Sequence, residues 1–482
     1  MHRRSRGVGR AVPSVILSVV VMASGLLVSG SGLASPHSAP AAVSLVANAP
    51  PPLPRERAAA GSLAPETSIG DSGSLGVVAT VDVGLYTYSA TYDSGNGYVY
   101  VVDQYSNNVS VINGTALVAS IPVGPSPSFA VYDSGNGYVY VTNTGNGSSE
   151  NFGTVSVISG TSVVATVTVG PTPYWETYDR GNGYVYVTDE GCINMVEKNC
   201  TLPGGTSIYG AGSNVSVISG TSVVATVPVG TVPQFAVYDS ANGYVYVLNA
   251  GCWACSGTPG YSAGKVSIIS GTSVVATATV GLDPYSGTYD SGDGYVYVTN
   301  AASGNVSVIS GTSVEATVPV GYDSLFAAYD GGNGYVYVPN CISGTVSVVH
   351  ETSVVATVTV GSCPTSATYD DGNGYVYVSN SGAGNVSVIN DTSVVVTVKV
   401  NIGSGGYSVY DSGNGYVYVP SGGTTVSVIG NVSSSSPGLP WWVYAISGVA
   451  VAGVAVGVVI GVRRNRRRPS AASSPPPTAP GQ

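Results

Sequence analysis

The chain has 482 residues, a formal net charge of −10 and only 8% charged residues. Between residues 77 and 430 four basic residues, Arg180, Lys198, Lys265 and Lys399, face 22 acidic ones, a balance that excludes nucleic acid and disfavours anionic lipid. The surface is left to Ser, Thr, Asn, Gly and Tyr, a composition suited to acidic surroundings because few carboxylates are there to be protonated.

Arg3, Arg4, Arg6 and Arg10 precede an apolar run over residues 11–28 and the small residues Gly32-Leu33-Ala34. This is the pattern of a secretory signal peptide over residues 1–34, with an uncleaved anchor as the alternative. Residues 35–76 are rich in Ala, Pro and Ser without alternation and read as a linker.

The next stretch repeats. Residues 132–143 read YDSGNGYVYVTN, and close copies begin at Tyr92, Tyr178, Tyr238, Tyr289, Tyr329, Tyr369 and Tyr410. Each opens with Asp and a Gly/Asn/Gly turn that tolerates positive φ, then enters alternating Tyr-Val-Tyr-Val, which favours a strand. Every period of roughly 40 residues holds four strand-like runs, as at residues 128–132, 138–142, 155–158 and 163–169. The first run, residues 77–83, is of the type that ends a repeat, and the last, residues 426–429, is of the third type. The N-terminal strand should therefore complete the final blade. The expected fold over residues 77–430 is all-β, an eight-bladed β-propeller of four-stranded antiparallel blades, with seven blades as the alternative.

A tether at residues 431–440 leads to Trp441, Trp442 and Tyr444, an uncharged run to Val462, and five arginines from Arg463 to Arg468. Aromatic belt, apolar span and positive stop predict a transmembrane helix over residues 441–462, about 33 Å long. The basic, Pro-rich end at residues 463–482 would be cytoplasmic and the propeller extracellular. Gly453, Gly457 and Gly461 share one face of that helix and could support a homo-oligomer.

The YVYVTN, NVSVI and ATVPVG segments resemble the YVTN-type β-propeller repeat family, which includes secreted and surface-layer proteins. That resemblance implies an extracellular role and leaves the ligand open.

Three consecutive repeats carry long second-to-third loops, at residues 142–154, 188–214 and 248–265, which should project from one sector of one face. The cysteines fall on that face, and export favours local disulfides: Cys192 with Cys200, Cys252 with Cys255, and Cys341 with Cys363. Glu176 occupies a position that is Ala90, Ala130, Ala236, Gly287, Ala327, Ala367 and Ser408 in the other copies. Packed space between blades should not hold a carboxylate, so Glu176 is expected to face the central channel. With Tyr174, Trp175, Asp189, Glu190 and Trp253 it forms a candidate site for a sugar or cation. The turn aspartates, such as Asp93, read as acceptors for their own turn rather than calcium ligands. Candidate glycosylation sites are Asn108, Asn146, Asn199, Asn214, Asn305 and Asn385.

No nucleophile paired with a base, phosphate loop or metal-ligand spacing occurs, so no catalytic residue, metal or cofactor is expected. The leading reading is a non-enzymatic, membrane-anchored surface propeller that binds a glycan or surface protein in adhesion or envelope assembly. The alternative is a carbohydrate-active enzyme using carboxylates at the channel mouth.

Overall fold

The computed structural model describes residues 74–145, 153–191, 199–201, 207–209, 213–251, 263–403 and 406–432. The expected signal peptide, transmembrane helix and glycine face lie outside these residues, as do Cys192, Cys252, Cys255, Trp253 and Asn146 and the side chains of Asn199 and Cys200. Among the described residues no helix is long and apolar enough to cross a membrane.

Eight four-stranded antiparallel sheets follow one another. Blade 1 comprises Thr87–Asp93, Tyr98–Asp103, Asn108–Asn113 and Ala116–Pro122, from the channel outward. Blade 8 takes only three strands from the C-terminal end, Val409–Asp411, Tyr416–Pro420 and Thr425–Val432, and its fourth, Ser74–Asp82, from the N-terminal end. Pairing runs from Ser74 opposite Val432 to Asp82 opposite Thr425. The eight-bladed count and the interlocked ends therefore hold, and the paired N-terminal strand reaches back to Ser74, three residues before the expected start of the repeats.

The Tyr-Val-Tyr-Val strand is apolar on both faces because blades stack on both faces. Val99, Tyr100 and Val101 are fully buried, and Tyr100, Val102 and Val111 of blade 1 share a core cluster with Val139, Val141 and Ile158 of blade 2. Each such side chain contributes about 1.5–3 kcal/mol through burial.

The turn residues fasten one blade to the next. Asp93 Oδ1 accepts from the amides of Gly95 at 2.8 Å and Asn96 at 3.3 Å. Asn96 Nδ2 donates to the Tyr100 hydroxyl at 2.9 Å, and that hydroxyl donates to Gly160 O of blade 2 at 2.8 Å. Tyr418 makes the same bond to Gly114 O at 2.8 Å and so carries the pattern across the seam. Gly95 lies close to the next blade, since a Cβ would sit 2.5 Å from the Tyr132 hydroxyl; blade 4 accommodates Ala241 at this position and keeps the turn bond to Asp239 Oδ1 at 2.8 Å.

Second-to-third loops and the loops entering each inner strand emerge on one face, the loop face; the Asp turns emerge on the other. In blade 3 the long loop contains a short antiparallel pair, Asn199–Thr201 with Ser207–Tyr209. Cys341 and Cys363 form a disulfide that ties blade 6 to the loop entering blade 7.

Candidate functional site at the loop-face mouth

Every fully paired inner strand has an irregularity near its loop end. In blade 3 Pro173 pairs with Asp189 and Glu176 with Val187, so three steps on the inner strand match two on its neighbour. Such a bulge breaks the two-residue alternation and re-aims side chains. Aromatic residues gather at this level from seven of the eight blades, in blades 1 to 5 from bulged inner strands.

Phe129, Trp175, Phe235 and Phe326 form a floor across the channel. Trp175 lies 4.0 Å from Phe235 and 4.3 Å from Phe129, ring centre to ring centre, and 5.8 Å from Phe326. Tyr407 packs on this floor at 4.1 Å from Phe326. Tyr88, Tyr174 and Tyr285 come from the preceding position on their strands and stand on the loop-face side. Tyr88 and Tyr174 join hydroxyls at 2.8 Å, and Tyr407 interacts through its hydroxyl with Tyr88 and Tyr285. Burial raises the pKa of all four tyrosines, which are neutral hydrogen-bonding groups at ordinary pH.

Carboxylates flank the hydroxyls. Glu190 is 7% exposed. It lies close enough to raise the pKa of Tyr88 and Tyr174, while burial lifts its own to about 7. On the other side Gln234 Nε2 donates to Asp283 Oδ1 at 3.4 Å, and Asp323 adds to the upward shift of Asp283, which burial dominates.

Three expected site residues sit elsewhere than at an open mouth. Trp175 is part of the floor. Asp189 is fully buried within blade 3, where Ser216 Oγ donates to it at 2.8 Å and burial raises its pKa to about 8. That position is Asn143, Asn249, Asn300, Asn340 and Asn380 in other blades, each donating to the equivalent serine at 2.9–3.1 Å, so it belongs to the scaffold.

Glu176 corrects the channel expectation. Blade 5 shows the geometry of this column, since a Cβ on Gly287 would meet Val237 and Leu248 of the preceding blade. Glu176 likewise turns toward blade 2, beside Thr142, and is 4% exposed. The Thr142 hydroxyl is its nearest polar influence, but that proton is directed at the Tyr174 and Phe129 carbonyls. Both carboxylate oxygens are left without a hydrogen bond, and burial drives the pKa well above the usual carboxylate range. The residue does border a cavity of about 340 Å³ below the floor, walled also by Phe129, Val131, Phe235, Val237 and Thr288. Glu176 and Asp189 thus turn to different partners, one across the blade interface and one within its own blade.

Reasoning from sequence named Tyr174 and Glu190 and missed Tyr88, Tyr285, Tyr407, Asp283, Asp323 and the phenylalanine floor. A signal was present in the two columns just before the Ala/Glu176 column, where seven blades carry an aromatic in one or the other. Where the nearer column holds serine instead, its hydroxyl bonds the next blade, as Ser89 does to Ser128 O at 2.9 Å and Ser286 to Leu325 O at 2.9 Å. Asn108, Asn214, Asn305 and Asn385 begin third strands, and Asn305 and Asn385 accept from Asn300 and Asn380 at 2.8 Å.

No protein-family model and no curated protein matches the chain. Among solved structures, the C-terminal WD40 domain of Sif2 is similar, with 9% identity and a TM-score of 0.54 over 75% of this chain and 99% of that one. Virginiamycin B lyase from Staphylococcus aureus aligns at 11% identity and a TM-score of 0.45, covering 73% of this chain and 98% of its own. Hydrazine synthase of Kuenenia stuttgartiensis aligns at 15% identity and 0.47, covering 68% and 99%. The likeness to the WD40 domain supports the propeller fold alone.

Proposed function

We propose that the protein is a non-enzymatic cell-surface propeller of the YVTN type, exported by residues 1–34 and anchored through residues 441–462, whose loop face binds a glycan or surface protein. The observation that carries this reading is where apolar surface is left uncovered. Leu85, Tyr105, Tyr322 and Ile342 are 55%, 68%, 63% and 75% exposed, and all four stand on the loop face. The other exposed large hydrophobics among the described residues belong to outer or terminal strands. Tyr105 stacks on Tyr86 at 4.4 Å and Tyr86 on Tyr88 at 6.2 Å, so an aromatic path runs from the rim to the mouth. Stacked tyrosines ending in a ring of hydroxyls offer ring faces and hydrogen bonds to one ligand.

Binding rather than hydrolysis is favoured because Glu176 and Asp189, the carboxylates considered for glycoside chemistry, share neither a partner nor an open space. The test is a glycan array and a surface-protein overlay with the purified chain, followed by incubation with any hit. Binding that disappears in Tyr105→Ala/Ile342→Ser, with the ligand recovered intact, supports the reading. Binding unaffected by that variant, or conversion of the ligand, would overturn it.

A further inference from the structure

The third and fourth strands of a blade meet in a tight hairpin on the face opposite the mouth, beside the Asp turns. In blades 2 to 6 the residue before this turn is Ser159, Ser219, Ser270, Ser310 or His350, and a threonine follows two positions later. Blades 1 and 7 depart from the pattern with Asn113-Gly114-Thr115 and Asn390-Asp391-Thr392, and the departure creates an Asn-x-Thr acceptor triplet at each. The fold separates these two triplets from those that begin third strands. Asn113, Thr115, Asn390 and Thr392 are all exposed. Their turns are held in place: Gly114 and Asp391 have φ of +57° and +51°, and their carbonyls accept from the hydroxyls of Tyr418 and Tyr337 of the preceding blades at 2.8 Å each. In the strand triplets the hydroxyl that completes the motif is buried instead. Ser110, Ser216, Ser307 and Ser387 are at most 2% exposed, and each bonds the buried Asp or Asn of the second strand at 2.7–3.0 Å. A triplet locked inside a blade cannot enter a modifying enzyme without unfolding, whereas one on an exposed turn can.

We propose that Asn113 and Asn390 carry N-linked glycans, and that Asn108, Asn214, Asn305 and Asn385 at the starts of third strands do not. This rests on the export reading above, which brings the domain to a compartment where a transferase and an oligosaccharide joined to a lipid phosphate can meet it. Asn Nδ2 bonds to the anomeric carbon of that sugar, the bond from this carbon to the phosphate oxygen breaks with its electron pair leaving on the lipid phosphate, and one amide proton passes to solvent. The two sites flank blade 8, which shares its core with blade 7 on one side and blade 1 on the other. Bulky hydrated chains would thus stand beside the seam where Ser74 pairs with Val432, on the hairpin face, and leave the loop face open to its ligand.

The test is tandem mass spectrometry of chymotryptic peptides from the full chain, purified from the cells that produce it, with fragmentation that localises each modified asparagine. A sugar mass on Asn113 and Asn390, and none on the four strand asparagines, is the expected result. Thr115→Val keeps the shape of an exposed side chain and removes the hydroxyl that the acceptor motif requires. It should abolish the glycan at Asn113 and leave that at Asn390, while Thr115→Ser should keep both. A glycan at Asn113 that survives Thr115→Val, or occupancy of the strand asparagines in place of the hairpin ones, overturns the proposal. An antibody to the propeller, applied to unpermeabilised cells, separates this proposal from the reading it rests on. A chain that is stained at the surface yet bare at both hairpins overturns the glycans alone and leaves the surface propeller standing. A chain that the antibody cannot reach overturns export and the glycans together.

Discussion

At the hairpin end of the inner strands, Asp93, Asp133, Asp179 and Asp370 accept from the amide two residues on at 2.8, 2.8, 2.8 and 2.9 Å, one arrangement copied from blade to blade. At the loop end of the same strands the residues are Tyr88 and Ser89, Ser128 and Phe129, Tyr174 and Trp175, Gln234 and Phe235, and of the eight blades only the first and fifth, with Tyr285 and Ser286, share a pair. Uniformity at one end holds blades together, where each copy meets the same neighbour. Variety at the other arises because all eight strands converge on one axis, where eight identical large side chains could not fit. A propeller of this kind therefore keeps its stability in the repeats and its chemistry in the departures from them.

The strongest way to break that comparison is to open the ring. Removing residues 74–82 strips blade 8 of its outer strand and uncovers the cluster that Val81 shares with Val426 and Val428. Cooperative thermal unfolding followed by circular dichroism should be lost, or its midpoint should drop by more than about 10 °C. An unchanged midpoint would mean that the seam contributes nothing and that the face assignments lack their frame.

A smaller blow falls on a single hairpin. Gly135→Val would put a Cβ 2.6 Å from the Tyr178 hydroxyl of the next blade, and about 2–4 kcal/mol of destabilisation is expected. Gly137→Ala makes the control. A Cβ there meets nothing within 4 Å, and the cost should be only about 1 kcal/mol, from its φ of +77°. Equal effects from the two variants, measured by urea denaturation, would show that packing between blades is not what requires the first glycine.

The hairpin end was legible in sequence and the loop end was not, for one physical reason. Strand patterning relies on strict alternation, and Tyr98 to Asp103 obeys it, so strand, turn and ring closure could all be read from the copies. The bulge before Ala130 or Glu176 shifts the alternation by one residue, and a rule of period two then misdirects every side chain beyond it. Glu176 was conspicuous as an outlier, yet its direction was misjudged because packed space between blades seemed closed to a carboxyl group. Asp283 and Asp323 carry no such mark. Only folding brings Asp323 and Gln234 beside Asp283.

Glu176 offers the sharpest test between the two regions, since it departs from the repeat without reaching the mouth. Glu176→Ala restores the residue of most other blades and removes a buried carboxyl with two unpartnered oxygens; it should stabilise the fold by about 1–3 kcal/mol near neutral pH. The dependence on pH has a definite sign. In the unfolded chain the group titrates near 4.5, and in the fold well above that. Its contribution is whole below about pH 4.5 and is lost as pH rises toward the folded value. Asp189, lifted from 3.8 to about 8, acts in the same sense between those values. The melting temperature should therefore fall from pH 4.5 to pH 8, and less steeply in Glu176→Ala. A profile that instead collapses below pH 4 would contradict both this account and the suggestion of acidic surroundings.

The smallest expected effect tests how the uniform end shares its load. Tyr140→Phe removes a hydroxyl that donates to Gly220 O at 2.9 Å and accepts from Asn136 Nδ2 at 3.0 Å. Both stranded groups are near solvent and can turn to water, so a loss of only about 1 kcal/mol is expected. In blade 5 the same column behaves differently: Tyr297 donates to Asp293 Oδ2 of its own turn at 2.8 Å, so Tyr297→Phe cuts no bond to the next blade. Combining Tyr140→Phe with Tyr186→Phe, whose hydroxyl bonds Gly271 O at 2.8 Å, should double the loss, because the two clasps fasten different pairs of blades and share no partner. A more than additive loss in urea titrations would mean that the blades act through one network. Additivity would instead explain how the loop end can vary so freely, since no blade's departure there would weaken its neighbours' attachment.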